Sequence, residues 1–296
     1  MAQKLKFYQI DSFTTKKYSG NPAGVILCQD TWPDNIQKIA AEINQNETAF
    51  VLSDDAHLGF SSSQKFKLRW LTPTCEVNLC GHATLAAATV IFEECGNNHE
   101  SLSFESKSGL LKATNTENGV RLDFPVDIPE EFSHDDVSKS LSVIGDGELN
   151  NRLESSTIKL GLKTKKLLVQ INGTQENLNW LETIPVPNAA KLLASHDGTH
   201  YKGICITMLG QDIPNCPHDI ISRYFAPWNG LNEDHVTGSL HTTLAPFYMV
   251  DRKVTGKSIF ARQCSPRNGE MVVSWEGDRV YLDGKVAKVI EGLIDV

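Results

Sequence analysis

Residues 80–94 read CGHATLAAATVIFEE, and residues 237–250 read TGSLHTTLAPFYMV. Each opens on a glycine and a polar residue, Gly81-His82 and Gly238-Ser239, then runs on into apolar residues. Ala83, Leu85, Ala86, Ala88, Thr89, Val90 and Phe92 cover nearly every side of the first segment. A helix apolar on almost all sides, here His82 to Glu94, belongs at the centre of a domain, not on its surface. The second, Leu240 to Val250, has the same character. Each follows an acidic, turn-forming stretch, Thr74-Cys75-Glu76 in one case and Asn232-Glu233-Asp234 in the other. Gly81 and Gly238 stand 157 positions apart in a chain of 296 residues. The correspondence points to a duplication of one domain; coincidence between two generic helix starts is the alternative.

Outward from these segments, the chain alternates strand and helix patterns. LKFYQIDSF (5–13) has strand alternation, Ser19 to Gly24 is turn chemistry, and Val25 to Cys28 is a second strand. Pro33 suits the first turn of a helix whose buried face is Ile36, Ile39, Ala40 and Ile43, at i, i+3, i+4, i+7. Asn44 to Asn46 end that helix, Glu47 lies in the junction, and Thr48 to Leu52 is a strand. Further strands are expected at 65–71, 101–106, 109–114 and 119–124. Pro125 to Pro129, with the acidic run through Asp136, reads as a solvated connector. Beyond it, strands near 157–160, 166–171, 203–209, 258–264, 270–275 and 278–282 and an amphipathic helix near 187–195 repeat the style.

Composition bounds the function. The length suits two domains or one large one. Lys and Arg number 28 against 36 Asp and Glu, a net charge of −8. That balance argues against a nucleic-acid or anionic-membrane binder, since phosphate contacts need clustered basic residues. The 7 cysteines are scattered without a CxxC pair, so neither a zinc ribbon nor a disulfide scaffold is indicated. MAQKLKFYQID has no apolar core of a signal peptide, and the apolar run Leu85 to Phe92 is too short to span a bilayer. A cytoplasmic protein with reduced thiols is the expectation.

Helix starts present free backbone N–H groups and the positive end of the helix dipole, so two of them facing one cleft would hold a small carboxylate. Gly81 and Gly238 would let the ligand approach the backbone. His82 and Ser239 are placed to donate hydrogen bonds or move a proton; taken singly, each is equally an ordinary helix-start residue. Glu47, in the apolar context of Ile43, Ala49, Phe50 and Val51, is the best single candidate for a base. Burial there would raise its pKa toward the working range of a general acid or base; a surface turn glutamate is the competing reading. Asp234 is either a second acid, an orienting partner of His82 or Ser239, or an exposed turn residue. Gly256-Lys257-Ser258 ends like a phosphate loop but has Asp251 where the first glycine belongs. His196 and His200 flank Gly198, which argues for a loop rather than a metal pair.

The segments SGNPAGV (19–25), IAAEINQNETAFV (39–51), RWLTPTCEVNLCGHATLAAA (69–88), SRYFAPWNGLNEDHVTGSLHTTLAP (222–246) and ARQCSPRNGE (261–270) resemble the phenazine-biosynthesis PhzF-like family, above all its animal members. The resemblance implies an α+β chain of the diaminopimelate-epimerase-like fold: two similar halves, each a curled mixed sheet around a central helix, with the active site in the cleft between them. The halves would be residues 1–125, completed by the last strand at about 283–296, and 126–282. It places the family's catalytic glutamate on Glu47, its site glycine and histidine on Gly81 and His82, and its site aspartate and serine on Asp234 and Ser239. It implies a metal-free, cofactor-free isomerase that moves a proton on carbon of a small carboxylic acid. Glu47, His82 and Asp234 would do the chemistry, with Gly81, Gly238, Ser239, Cys80 and Thr237 around the substrate. Epimerases of this fold use two facing cysteines; Cys80 fits the first position but Thr237 stands at the second, and a hydroxyl is too weak an acid and base for that role. Two departures stand out. His235 follows the site aspartate where the family usually has proline, and Asn268 precedes Gly269 where a second glycine is usual. A homodimer, a protein-binding module of the same fold and a one-cysteine epimerase are the remaining readings.

Overall fold

The structure, a computed structural model, describes residues 4–55, 57–251 and 258–296. Two compact units result: one runs to Phe124 and takes in Tyr281–Val296, and the other is Pro125–Val280.

The first unit is built on β1 (Lys4–Ser12), β2 (Asn21–Cys28), α1 (Ile36–Ile43), β3 (Glu47–Ser53), the short α2 (Gly59–Ser62), β4 (Lys65–Leu71), β5 (Glu76–Val77), α3 (Gly81–Thr89), β6 (Ser101–Ser106), β7 (Gly109–Thr116) and β8 (Gly119–Pro125). β1 pairs antiparallel with β2, β2 parallel with β3, β3 antiparallel with β4, β4 parallel with β6, and β6 antiparallel with β7, which pairs antiparallel with β8. Parallel neighbours need a crossover, and α1 and α3 are those crossovers. Every residue of α3 from His82 to Thr89 is buried. α1 covers the other face of the sheet, where Ile36, Ile39 and Ala40 pack with Ile26, Cys28, Phe50 and Leu52.

The second unit holds β9 (Glu130–Glu131), α4 (His134–Leu141), β10 (Leu153–Gly161), β11 (Lys166–Ile171), α5 (Gln175–Thr183), α6 (Ala189–Ser195), β12 (Gly203–Leu209), β13 (Ile220–Phe225), α7 (Gly238–Pro246), β14 (Ser258–Gln263) and β15 (Gly269–Glu276). β16 (Arg279–Gly284) leads back into the first unit, where β17 (Val286–Asp295) pairs antiparallel with β1. From β10 to β15 the pairings are antiparallel, parallel, antiparallel, parallel, antiparallel. This is the same order as from β1 to β7. The crossovers match too: α5 and α6 stand where α1 does, and α7 where α3 does. The two halves therefore share one topology, and β2, β3 and β4 correspond to β11, β12 and β13.

Both central helices end differently from the uninterrupted helices expected to reach Glu94 and Val250. α3 stops at Thr89 and α7 at Pro246, and each continues as a wider π-helical turn, Val90–Glu94 and Phe247–Asp251. Pro246 lacks an N–H and accounts for the second change; no proline sits in the first. Pro33 lies ahead of α1, whose first residue is Ile36, not inside its first turn. The turn chemistry at Asn21 to Gly24 is strand, because Gly20, at φ +66°, already makes the turn, and a Cβ there would meet the Ser12 carbonyl at 2.2 Å. The connector is not simply solvated. Val126 and Asp127 are buried, and Asp127 accepts from Thr164 N–H (2.9 Å) and Thr164 Oγ1 (2.6 Å). α4 and α5 had no clear signal in the sequence. Gly256 and Lys257 of the rejected phosphate-loop match lie outside the described residues. No helix among the described residues is long and apolar enough to cross a membrane.

Candidate active site

In the first unit, three element starts deliver the site residues. Asn44 caps the end of α1 in the left-handed conformation (φ 54°), its N–H donating to Ala40 O at 3.1 Å. That reversal turns the chain into β3, so Glu47 is the first residue of the strand, not a junction residue before it. Asn21 opens β2 beside it, and Cys80 is the N-cap of α3. The helix start is pinned from two sides. Trp70 Nε1 donates to Thr84 Oγ1 (3.1 Å), which donates to Cys80 O (2.6 Å), and Ser12 Oγ donates to His82 O (2.8 Å).

His82 is the hub. Its Nε2 lies 3.3 Å from Glu47 Oε2, with the two side chains only 7% and 12% exposed. Its Nδ1 lies 3.3 Å from Asn21 Nδ2 and 3.4 Å from Cys80 Sγ. The amide N–H of Asn21 is a donor, so Nδ1 is its acceptor, and Nε2 is the nitrogen turned to Glu47. The imidazole thus lies between the carboxylate on one side and the amide and thiol on the other. Among the described residues, Glu47, Cys80 and His82 form the one group of three whose ligand atoms lie within 4.8 Å of one another. The two imidazole nitrogens serve different partners, an arrangement suited to a hydrogen-bond relay more than to convergence on one cation. Neither α3 nor α7 is closed by a side-chain cap, so the first N–H groups of both helices are left to other acceptors.

The second unit gathers Asp234, Thr237, Gly238 and Ser239 at the start of α7. Thr237 Oγ1 donates to Asp234 Oδ2 at 2.6 Å. The threonine hydroxyl is therefore engaged in fixing the aspartate. Gln263 ties the same loop, accepting from Thr237 N–H (2.8 Å) and donating to Asp234 O (2.5 Å). Asp234 N–H donates to Tyr224 O at 3.1 Å. Glu233, read as part of an acidic turn, is 8% exposed and takes two 2.7 Å hydrogen bonds from Arg223. Ser239 is half-buried.

Both departures from the family pattern have a physical account. His235 is half-buried, and burial lowers its imidazole pKa. Its carbonyl still accepts from Ser265 Oγ (2.8 Å), so Asp234 stays anchored without the proline. Asn268 sits at φ 54° and accepts from Arg262 at 2.9 and 2.7 Å. Asparagine tolerates the left-handed region better than most side chains, so it can stand where glycine is usual. His196 stacks on Tyr201 with centroids 3.9 Å apart, beyond the end of α6. Sequence reasoning singled out Glu47, Cys80, Gly81, His82, Asp234, Thr237, Gly238 and Ser239. It missed Ser12, Asn21 and Gln263, whose only signal is that Asn21 and Gln263 fall inside the family-like segments.

The profile of the family described as phenazine biosynthesis-like protein matches residues 10–292. A phenazine biosynthesis-like domain-containing protein of Bos taurus is 39% identical, over 98% of this chain and 99% of that one. A protein of Pseudomonas aeruginosa named as an uncharacterized isomerase is 35% identical over 98% of both. A PhzF-family crystal structure from Enterococcus faecalis superimposes with a TM-score of 0.82 at 29% identity, covering 99% of this chain and all of that one. The chain belongs to the phenazine biosynthesis-like, or PhzF, family. Its fold is that of the family and of epimerase-like proteins, mixed α and β, as the resemblance implied.

Proposed function

We propose that this chain is a cofactor-independent isomerase that moves a proton on carbon of a small carboxylic acid, with Glu47 as acid and base. The observation that carries the reading is the Glu47–His82 pair, a largely enclosed carboxylate facing an imidazole 3.3 Å away. A carboxylate placed this way can take a proton from carbon and return it to a neighbouring carbon, while the His82 ring packed against it fixes its orientation. Gly81, Gly238 and Ser239 are assigned to the substrate carboxylate, and Asp234, oriented by Thr237, to the same reaction. These assignments rest on the family resemblance and the repeated topology.

Heavy-water exchange tests the reading. Small carboxylic acids incubated with the protein in deuterium oxide should gain deuterium on carbon. Glu47→Gln should slow that exchange by about 10²–10⁴-fold, the usual worth of a general acid–base group, with the fold retained. A fully active Glu47→Gln protein would sink the mechanism. One specific observation favours a second reading: Cys80 Sγ is 3.4 Å from His82 Nδ1, a pairing that could make the thiol the base of a one-cysteine epimerase. If Cys80→Ser abolishes exchange while Glu47→Gln preserves it, that reading replaces the first.

A further inference from the structure

The interior of the second unit has an imbalance that the proposed chemistry does not use. Leu167, Val169, Ile171, Ile204, Ile206, Met208, Ile221 and Phe225 pack with α4 and α5 into one apolar cluster. The period of two along a strand sends Lys166, Cys205 and Tyr224 to the opposite face. Thr207, on that same face, bonds Tyr248 just after α7, Oγ1 to Oη, at 2.9 Å. Lys166 is 7% exposed and Tyr224 2%. The ammonium lies 6.0 Å from the centre of the Tyr224 ring. Among the described residues Lys166 has neither an ion pair nor a hydrogen bond, and the buried Tyr224 Oη has no partner. Asp127 accepts from Thr164, and Asp234 from Thr237. Two buried donors without an acceptor are costly unless something fills the gap.

The repeated topology says where they sit. Asn21 opens β2 opposite Ser12, the last residue of β1; Lys166 opens β11 opposite Gly161, the last residue of β10. Glu47 opens β3, and Gly203 opens β12. Thr48 pairs with Leu71, and Ile204 pairs with Phe225, so Trp70 and Tyr224 correspond. In the parallel register Lys166 lies beside Gly203 as Ala23 lies beside Glu47, so the lysine holds in the second unit the place of Ala23, on the strand face that Asn21 shares. Gly203 replaces Glu47, and its missing side chain leaves room for Tyr224, whose Oη lies 2.1 Å from where a Cβ would be. Trp70 satisfies its N–H on α3, but the phenol at the matching place finds no such acceptor.

We propose that Lys166 and Tyr224 are a donor pair, within the second unit, for the second carboxylate of a substrate whose first carboxylate meets the start of α7, which makes the substrate class a small dicarboxylic acid. The identity of the occupant as substrate rests on the isomerase reading; binding of the dicarboxylate does not. Burial lowers the Lys166 pKa to about 8, with Asp127, Asp234 and Cys205 opposing it, and an anion settling beside it would raise that value again.

The test uses malonate, succinate and glutarate against the monocarboxylates propionate and butyrate, by calorimetry and by NMR of ε-labelled lysine. A dicarboxylate should bind about tenfold or more tighter than the monocarboxylates, as a charge-assisted hydrogen bond allows, and should raise the Lys166 pKa. Lys166→Met should erase that preference, and Tyr224→Phe should reduce it, each in a folded protein. Glu47→Gln should leave it intact while losing proton exchange, so failure of the isomerase reading and failure of this one are told apart. Equal binding of the two acid classes, a preference that survives Lys166→Met, or a Lys166 signal unmoved by all three dicarboxylates would overturn the proposal, as water alone then fills the gap.

Discussion

His82 and His241 sit one or three residues into the two central helices, and their surroundings give them different tasks. His82 links a carboxylate on one nitrogen to an amide and a thiol on the other. His241 is 1% exposed; its Nδ1 lies 2.9 Å from Thr237 O, and among the described residues its Nε2 has no partner. Burial pushes its pKa down from 6.5 to about 4. An unfolded chain would take up that proton first as pH falls, so the contribution of His241 to stability is full above about pH 6.5 and is lost as pH drops toward 4. The total is on the order of a few kcal/mol. Urea midpoints measured from pH 7 to pH 4.5 should fall more steeply for the wild type than for His241→Gln. At this scale, Glu47 and His82 were legible because a charged or polar residue inside an apolar stretch stands out. Asn21 was not, since its role comes from a strand start meeting a helix start 61 positions away. Nor was the left-handed asparagine at 268, which needs a dihedral angle to be recognised.

The loop before α7 shows how an element is aimed. Arg223, on β13, is 1% exposed and bonds Glu233 through Nε and Nη2 while Nη1 donates to Leu181 O (2.9 Å) and Ile184 O (2.7 Å). One guanidinium therefore ties the end of α5 to the residue preceding Asp234. Breaking a buried pair by removing one partner leaves an uncompensated charge, which costs about 3–5 kcal/mol. Glu233→Ala should lower the denaturation midpoint accordingly and slow proton exchange through displacement of Asp234; an unchanged midpoint would refute the clamp. The acidic pattern Asn232-Glu233-Asp234 hid this, because charge alone does not tell a solvated turn from a buried pair. The central helices were legible from all-round apolarity, and most strands from alternation. α4 and α5 were missed: α4 has low apolar content, and α5 fell where the reading stopped between a strand and the next helix.

Across the whole molecule, the repeat was visible in two helix starts but proved only by the order of strand pairings, which no local pattern encodes. Pairing partners such as Lys4 and Asp295 lie at opposite ends of the chain. Deleting residues 286–296 would remove the antiparallel partner of β1. Hydrogen exchange should then speed up throughout β1, β2 and α3, whereas the amides of β11, β12 and β13 should keep their protection. Equal loss in both units would mean that they do not fold as separate bodies.

That closing strand also sets an order of events during synthesis. Residues 125–280 form a contiguous unit that can assemble as soon as it has left the ribosome. The earlier-made half lacks the second neighbour of β1 until residues 286–295 emerge, so its completion falls after that of the unit made later. Until then the nascent β1 edge is exposed, and a chaperone that shields strand edges would find its client there.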